Sequence, residues 1–271
     1  MRIRIRHETA YVYESEARAI VQILRVTPRS HEGQQVVSWR LDADADVRLR
    51  ASEDAFGNVV HNLSTERPVD RLTLTVIGEV STTDTAGMVR GAAERLPLPV
   101  YLRQTPLTGP TEALAAFARE ADPGRDRDPL ERLHALLGAV GRAVAYDERA
   151  TDVTGAAADA LAVGRGVCQD MAHIFIVAAR LMGVPARYVS GHLLRADGAV
   201  EQEAAHAWAE AAVPGLGWVG FDPANGVSPT DAYVRVAVGL DYLDAAPVRG
   251  ARNGGGGERL SVRLSVAQPQ Q

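Results

Sequence analysis

Three residues decide what chemistry this chain can attempt: Cys168, which is its sole cysteine, His206 and Asp222. A thiol, an imidazole and a carboxylate are the parts of a nucleophilic acyl-transfer site. The thiolate attacks a carbonyl, the imidazole takes the thiol proton and returns it to the leaving amine, and the carboxylate fixes the imidazole tautomer. A lone cysteine is more often a small buried hydrophobe, so the reading depends on the neighbours.

Those neighbours are Gly164-Arg165-Gly166-Val167 on one side and Gln169-Asp170-Met171-Ala172-His173 on the other, followed by a run apolar almost all round as far as Met182. Gly183-Val184-Pro185 stops it. A run of this kind is a buried helix, and Cys168 opens it. Free N–H groups and the positive end of the helix dipole favour a negative sulfur there, and the same N–H groups can bind an oxyanion. Gly164 and Gly166 suit a tight turn with close approach of a substrate.

Beyond the helix the alternation predicts strands over Ala186–Leu194, Ala205–Val213 and Trp218–Asp222, with turns at Asp197-Gly198 and Pro214-Gly215-Leu216-Gly217. A turn centred near Gly215 sets Ala224 opposite His206, so Asp222 becomes a diagonal neighbour roughly 7–8 Å away by backbone. Asp222 can therefore orient His206. His173, five residues along the helix from Cys168, lies about 140° around the axis and is assigned to packing or hydrogen bonding instead. Asp170 complements the helix dipole. Trp208 shares the face of His206 and either shields the pair, lines the cleft or serves as a core aromatic. Gln169, Tyr146 and Gly166 are weaker candidates for substrate or oxyanion contacts.

Four motifs recur in order: Gly-Val-Cys-Gln-Asp-Met-Ala-His at 166–173, Pro-Ala-Arg-Tyr-Val-Ser-Gly-His at 185–192, His-Ala-Trp-Ala-Glu at 206–210 and Gly-Trp-Val-Gly-Phe-Asp-Pro-Ala-Asn-Gly at 217–226. Together they resemble the bacterial transglutaminase-like proteins, and the β-rich start of the chain resembles that family's N-terminal domain. The resemblance implies a papain-like α+β core, a central helix packed on an antiparallel sheet, and a triad at Cys168, His206 and Asp222. At Gly239-Leu240-Asp241-Tyr242 the chain departs from it, because an arginine is expected at position 240.

The elements that must position these residues fall into two patterns. Residues 1–81 show period-two runs broken by turns, including Ala19–Val26, Val36–Leu41 and Arg71–Val80, with Phe56-Gly57-Asn58 among the turn residues; this is a β-rich N-terminal domain. Residues 82–110 carry four prolines and read as a connector. The catalytic core is expected over 111–245. It opens with a helix on Leu114, Phe117, Ala118 and Ala121, then a second one capped by Asp128, started by Pro129 and ending near Tyr146-Asp147. Residues 246–271 give a flexible loop at Gly254–Gly257 and a last strand through Leu260, Val262, Leu264 and Val266, free to join either domain.

Composition removes several function classes. The 271 residues are 46% hydrophobic, enough for real cores, and 29 basic against 34 acidic residues give a net charge of −5 with no basic run, so neither nucleic acid nor membrane is expected as a partner. Met1–His7 alternates arginine with apolar residues and reads as a strand instead of a signal peptide, which leads to a cytoplasmic expectation. One cysteine and seven histidines without paired spacing support no disulfide framework and no metal site, and no cofactor is expected. The expected activity is hydrolysis of a peptide or isopeptide bond in a peptide or protein substrate, by a cysteine peptidase or amidase working through a thioester. The alternatives are transfer of the acyl group to an amine, as in a transglutaminase, and a non-catalytic binding module on the same fold. Hydrolysis is preferred because no calcium loop or amine-binding site is legible.

Overall fold

The computed structural model describes residues 1–147 and 155–269. Strand β1 (Arg2–Thr27) runs the length of an N-terminal sheet and is followed by β2 (Gln34–Ala43), β3 (Val47–Glu53), β4 (Val59–Thr65) and β5 (Val69–Thr82). The first half of β1 alternates buried Ile3, Ile5, His7, Thr9 and Tyr11 with outward arginines. Its partners there include β5, with Ile5 opposite Gly78, and its second half pairs with β4, with Ile23 opposite Asn62. The register slips in both ladders, and between them β1 changes which parity faces inward, from Tyr11 and Tyr13 to Ile20, Leu24 and Val26.

The connector is more than a tether. It contributes strand β6 (Met88–Val89) and a 3-10 turn at Leu98–Leu102 whose Tyr101 is fully buried against Trp218. Helices α1 (Glu112–Ala121) and α2 (Pro129–Ala143) follow. Thr111 caps the first, and Asp128 caps the second by accepting from the N–H groups of Leu130 and Glu131. The second ends at Ala143, short of Tyr146, because the chain turns into β7 (Ala145–Tyr146). Then come α3 (Ala157–Val163), β8 (Arg165–Gly166), α4 (Cys168–Leu181), β9 (Ala186–Leu193), β10 (Glu201–Gln202), β11 (His206–Val213), β12 (Gly217–Phe221), β13 (Tyr233–Gly239), the short α5 (Tyr242–Ala245), β14 (Val248–Gly254) and β15 (Glu258–Ala267).

Among the described residues the core sheet is five-stranded and antiparallel, in the order β13-β9-β11-β12-β6. Helix α4 lies buried against it, with Phe175 stacked on Phe221 at 5.0 Å and Ala207, Ala209 and Ala211 of β11 in the same apolar cluster. Small residues on that face let the helix approach closely. The glycine-rich segment after Asn253 interrupts a single antiparallel run along β1: β14 pairs with Ala17–Leu24 and β15 continues in the same direction along Arg4–Tyr13, so the C-terminal strand belongs to the N-terminal sheet. No helix among the described residues is long and apolar enough to cross a membrane.

Among the contacts that join the sheets, two are made by side-chain amides. Gln34 Nε2 donates to the carbonyl of Arg235 at 2.9 Å while Gln34 Oε1 accepts from the Arg235 N–H at 2.8 Å. Asn58 repeats the pattern on Val238, at 2.7 Å and 2.8 Å. Each amide pairs with the outer edge of β13 as a strand residue would.

On the sheet face away from α4, Glu210 is fully buried between Arg187 (Nε–Oε2 2.6 Å) and Arg235 (Nε–Oε1 2.7 Å). Arg187 also holds Glu94 of the connector and stacks over Trp218 at 3.8 Å. Burial alone would raise the Glu210 carboxyl, but Arg235 and Arg187 bring it down to about 2. Its contribution to stability is therefore present above the ordinary 4.5 and lost as pH falls through about 2. Glu210→Gln leaves buried arginine charge with too few acceptors and is expected to cost about 3–5 kcal/mol at neutral pH. Urea unfolding at neutral and acidic pH checks this: the difference from wild type should shrink toward the acid end.

Candidate active site

Cys168 is half-buried at the first position of α4. The residue before it, Val167, is extended, and its N–H is accepted by Asp170 Oδ2 at 2.8 Å. Asp170 thus serves as the helix-entry acceptor. Gly166 is required by this arrangement, since a Cβ there would meet Asp170 Oδ2 at 2.8 Å and Asp170 Cβ at 2.9 Å. Its smallness makes room for the cap carboxylate; that is a different reason from the substrate approach expected from sequence. Gly164 has φ +69° and ends α3 in the left-handed conformation.

His206 opens β11, opposite Gly191 of β9. The β11–β12 ladder pairs Val213 with Gly217 and Ala209 with Phe221, so the turn is centred on Gly215 and Asp222 lies just past the ladder's end. His206 Nε2 donates to Asp222 Oδ2 at 2.7 Å. The Cys168 side chain is near enough to the imidazole to help raise its pKa. With Nε2 committed to the carboxylate, Nδ1 is the nitrogen left for sulfur. All three expected residues therefore meet.

Asp222 is fully buried, and its oxygens divide the work. Oδ1 accepts from the N–H groups of Ala224 at 3.0 Å and Asn225 at 3.3 Å. Oδ2 accepts from His206, from Asn225 Nδ2 at 2.7 Å and from the Tyr233 hydroxyl at 2.8 Å. Burial would raise this carboxyl, yet the hydrogen bonds from His206, Asn225 and Tyr233 and the charge of His206 hold it below its usual range. For His206 burial pulls the other way, but Asp222 and Cys168 together raise it to about 10. The imidazolium is the stable partner in this site.

Trp208 is buried, stacked beside His206 at 6.2 Å and edge-on to Tyr233 at 5.4 Å, so it is both a core aromatic and the wall behind the imidazole. Gly191 makes this possible, because a Cβ there would come within 2.6 Å of the indole. Tyr146 is exposed and pairs with Gly166 in the parallel β7–β8 ladder, on the approach to Cys168. Gln169 is buried in the first turn of α4. His173 is turned away from the sulfur and accepts from the Tyr242 N–H at 3.1 Å. At position 240 the leucine side chain is buried and its carbonyl accepts from Arg180 at 2.7 Å. Asn225 and Tyr233 escaped the sequence reading: Asn225 stands inside a quoted motif, whereas nothing local connects Tyr233 with Asp222.

Comparison with known proteins now adds a family to this geometry. Residues 116–223 match the model of the transglutaminase-like superfamily core, and residues 3–81 match the bacterial transglutaminase-like N-terminal region. An uncharacterized protein of Mycobacterium leprae is 33% identical over 277 residues, covering 98% of this chain and 99% of the relative. The chain belongs to the transglutaminase-like superfamily. An uncharacterized protein of Mycobacterium tuberculosis is 29% identical, covering 92% of this chain and 87% of its own length. Among solved structures, a candidate cysteine protease from Cytophaga hutchinsonii superposes with a TM-score of 0.78 at 20% identity, over 100% of this chain and 91% of that one. The transglutaminase-like fold, with its β-rich N-terminal region ahead of the core, thus extends over the whole chain.

Because the His206 imidazole is raised from 6.5 to about 10, its contribution to stability is fully present below about 6.5 and is lost as pH rises through about 10. The unfolding free energy of wild type minus that of His206→Ala should fall over this window in urea titrations. The same variant should slow iodoacetamide alkylation of Cys168 at about pH 6 by at least tenfold, as read by intact-mass spectrometry.

Proposed function

We propose that this chain is a thiol-dependent enzyme that cleaves an amide-type bond by acyl transfer through Cys168, His206 and Asp222. The observation that carries the reading is the His206 imidazole, hydrogen-bonded to the buried Asp222 and under the influence of the Cys168 side chain. Membership of the transglutaminase-like superfamily and the fold shared with a candidate cysteine protease support thiol-dependent chemistry.

In the first step the Cys168 thiolate attacks the substrate carbonyl, and the new S–C bond pushes charge onto oxygen. The start of α4, at the positive end of the helix dipole, can take up that charge. Collapse breaks the C–N bond, and the His206 imidazolium gives its proton to the departing amine. In the second step neutral His206 draws a proton from water, whose oxygen attacks the thioester carbonyl; a carboxylic acid leaves, and Cys168 and His206 recover their starting states. Asp222, saturated with donors, stays ionised throughout and takes no proton.

Hydrolysis of a peptide or isopeptide bond is the reading we favour, with a peptide or protein as substrate. One feature of the composition keeps amine acceptors in view. All 29 basic residues are arginine, so the chain carries no ε-amine onto which its own thioester could be discharged. Water or an external amine is then the acceptor we favour.

Turnover of glutamine peptides and isopeptides, with and without a labelled amine and followed by mass spectrometry, tests the reaction. Cys168→Ala should abolish it, since the chain holds no second thiol. His206→Ala should lower it by about 10²–10⁴-fold. Asp222→Asn should lower the rate through the wrong tautomer while leaving the melting curve close to wild type. Near-normal turnover in Cys168→Ala would end the nucleophile assignment.

A further inference from the structure

The N-terminal sheet touches the core sheet where it bears on the site. β13 is an edge strand of the core sheet, and its outer N–H and C=O groups at Arg235 and Val238 are taken by the amides of Gln34 and Asn58, both buried. These amides come from two separate turns: Gln34 starts β2, and Asn58 closes the turn before β4. Asn58 is itself fixed by Asp54, which accepts from its side chain and its N–H, each at 3.0 Å. Tyr233, the first residue of β13, lies two residues before Arg235 and donates to the same Asp222 oxygen that accepts from His206.

We propose that Tyr233 is a positioning residue for His206, acting through Asp222, and that the N-terminal region holds it there through the side-chain amides of Gln34 and Asn58. The proposal rests on the reading of Cys168, His206 and Asp222 as the working parts. Physically, a carboxylate oxygen shared among donors divides its charge among them. The Tyr233 hydroxyl therefore moderates how strongly Asp222 attracts a proton to His206, and a shift of β13 would change that share. The groups that face the imidazole are the titratable Asp222 and Cys168, the neutral amide of Asn225, and the rings of Tyr233 at 5.9 Å and Trp208 at 6.2 Å. Removing one hydroxyl thus leaves a defined change in the field at His206.

The test uses the full-length chain and needs no amide substrate. The titration of His206 is followed by ¹⁵N-histidine NMR and by the pH profile of Cys168 alkylation with iodoacetamide. Tyr233→Phe keeps the ring in its cluster and should move the His206 titration upward by roughly half to one pH unit, because Asp222 then bears more fully on the imidazolium. Gln34→Met removes the clasp without emptying the site, and should move the titration the same way by less. In the Tyr233→Phe background Gln34→Met should add almost nothing, since its effect is routed through the hydroxyl. Asn58→Ala probes the other half of the clasp and should behave like Gln34→Met. An unmoved titration in Tyr233→Phe overturns the positioning role. A Gln34→Met or Asn58→Ala variant that lowers the melting temperature without moving the titration overturns the part played by the N-terminal region, as does a full shift in the double variant. Absence of amide turnover in wild type would count against the proposed reaction alone.

Discussion

A fully buried carboxylate can remain charged only when its environment replaces the water it has lost, and at Asp222 the environment does so from several directions. Two backbone N–H groups of the turn it begins satisfy one oxygen; a histidine, an asparagine and a tyrosine satisfy the other. Each donor comes from a different level of the fold. The N–H groups are local, Asn225 is three residues away, His206 is across a hairpin, and Tyr233 returns on the far edge of the sheet. Because the hydrogen bond and charge of Asp222, with Cys168, raise His206, the protonation of the imidazole depends on all of these levels being formed together.

The rest of the sheet shows the same economy farther along β11. His206 and Glu210 lie on one strand, and Glu210 ties that strand to β9 through Arg187 and to β13 through Arg235. Arg187 in turn reaches Glu94, so the connector is drawn into the network. Buried ion pairs seldom add much to stability compared with an apolar core of the same shape, but a misregistered strand would leave a buried charge without a partner. Such a cluster fixes register. For a hairpin that must bring His206 within 2.7 Å of Asp222, register is the property that matters.

How much of this was legible in the sequence follows from how local each determinant is. The start of α4 at Cys168, the cap at Asp128 and the turn around Gly215 depend on a few adjacent residues, and the chain states them openly. The hairpin geometry gave the His206–Asp222 meeting because antiparallel register propagates from the turn. Tyr233 was beyond reach for the opposite reason: it follows β12 through an irregular segment and crosses to β13 at the far edge, a placement that no periodicity encodes. The superfamily core match itself ends at residue 223, before either Asn225 or Tyr233. Likewise the last strand has a plain alternation, but alternation says only that one face is buried, and pairing with β1 is decided by the complementary faces of two distant segments. Gly166 illustrates a subtler limit, since its smallness was legible while the atom it makes room for was not.

The two edges of the core sheet lead to a final step. The four strands β13-β9-β11-β12 taken alone leave unpaired N–H and C=O groups along both outer strands, and an open edge next to a reactive site invites pairing with other chains. Here β6 of the connector closes one edge by pairing with β12, and Gln34 and Asn58 close the other by pairing with β13. Neither closure comes from the segment that carries Cys168, His206 and Asp222. The first 90 residues therefore complete the sheet on which that segment is built, which explains in physical terms why the superfamily's N-terminal match and core match occur together in a chain whose relatives align over nearly its full length. An amide side chain suits this task better than another strand would. It satisfies one residue's N–H and C=O without extending the sheet, so the edge ends there and the N-terminal sheet can meet the core at an angle of its own.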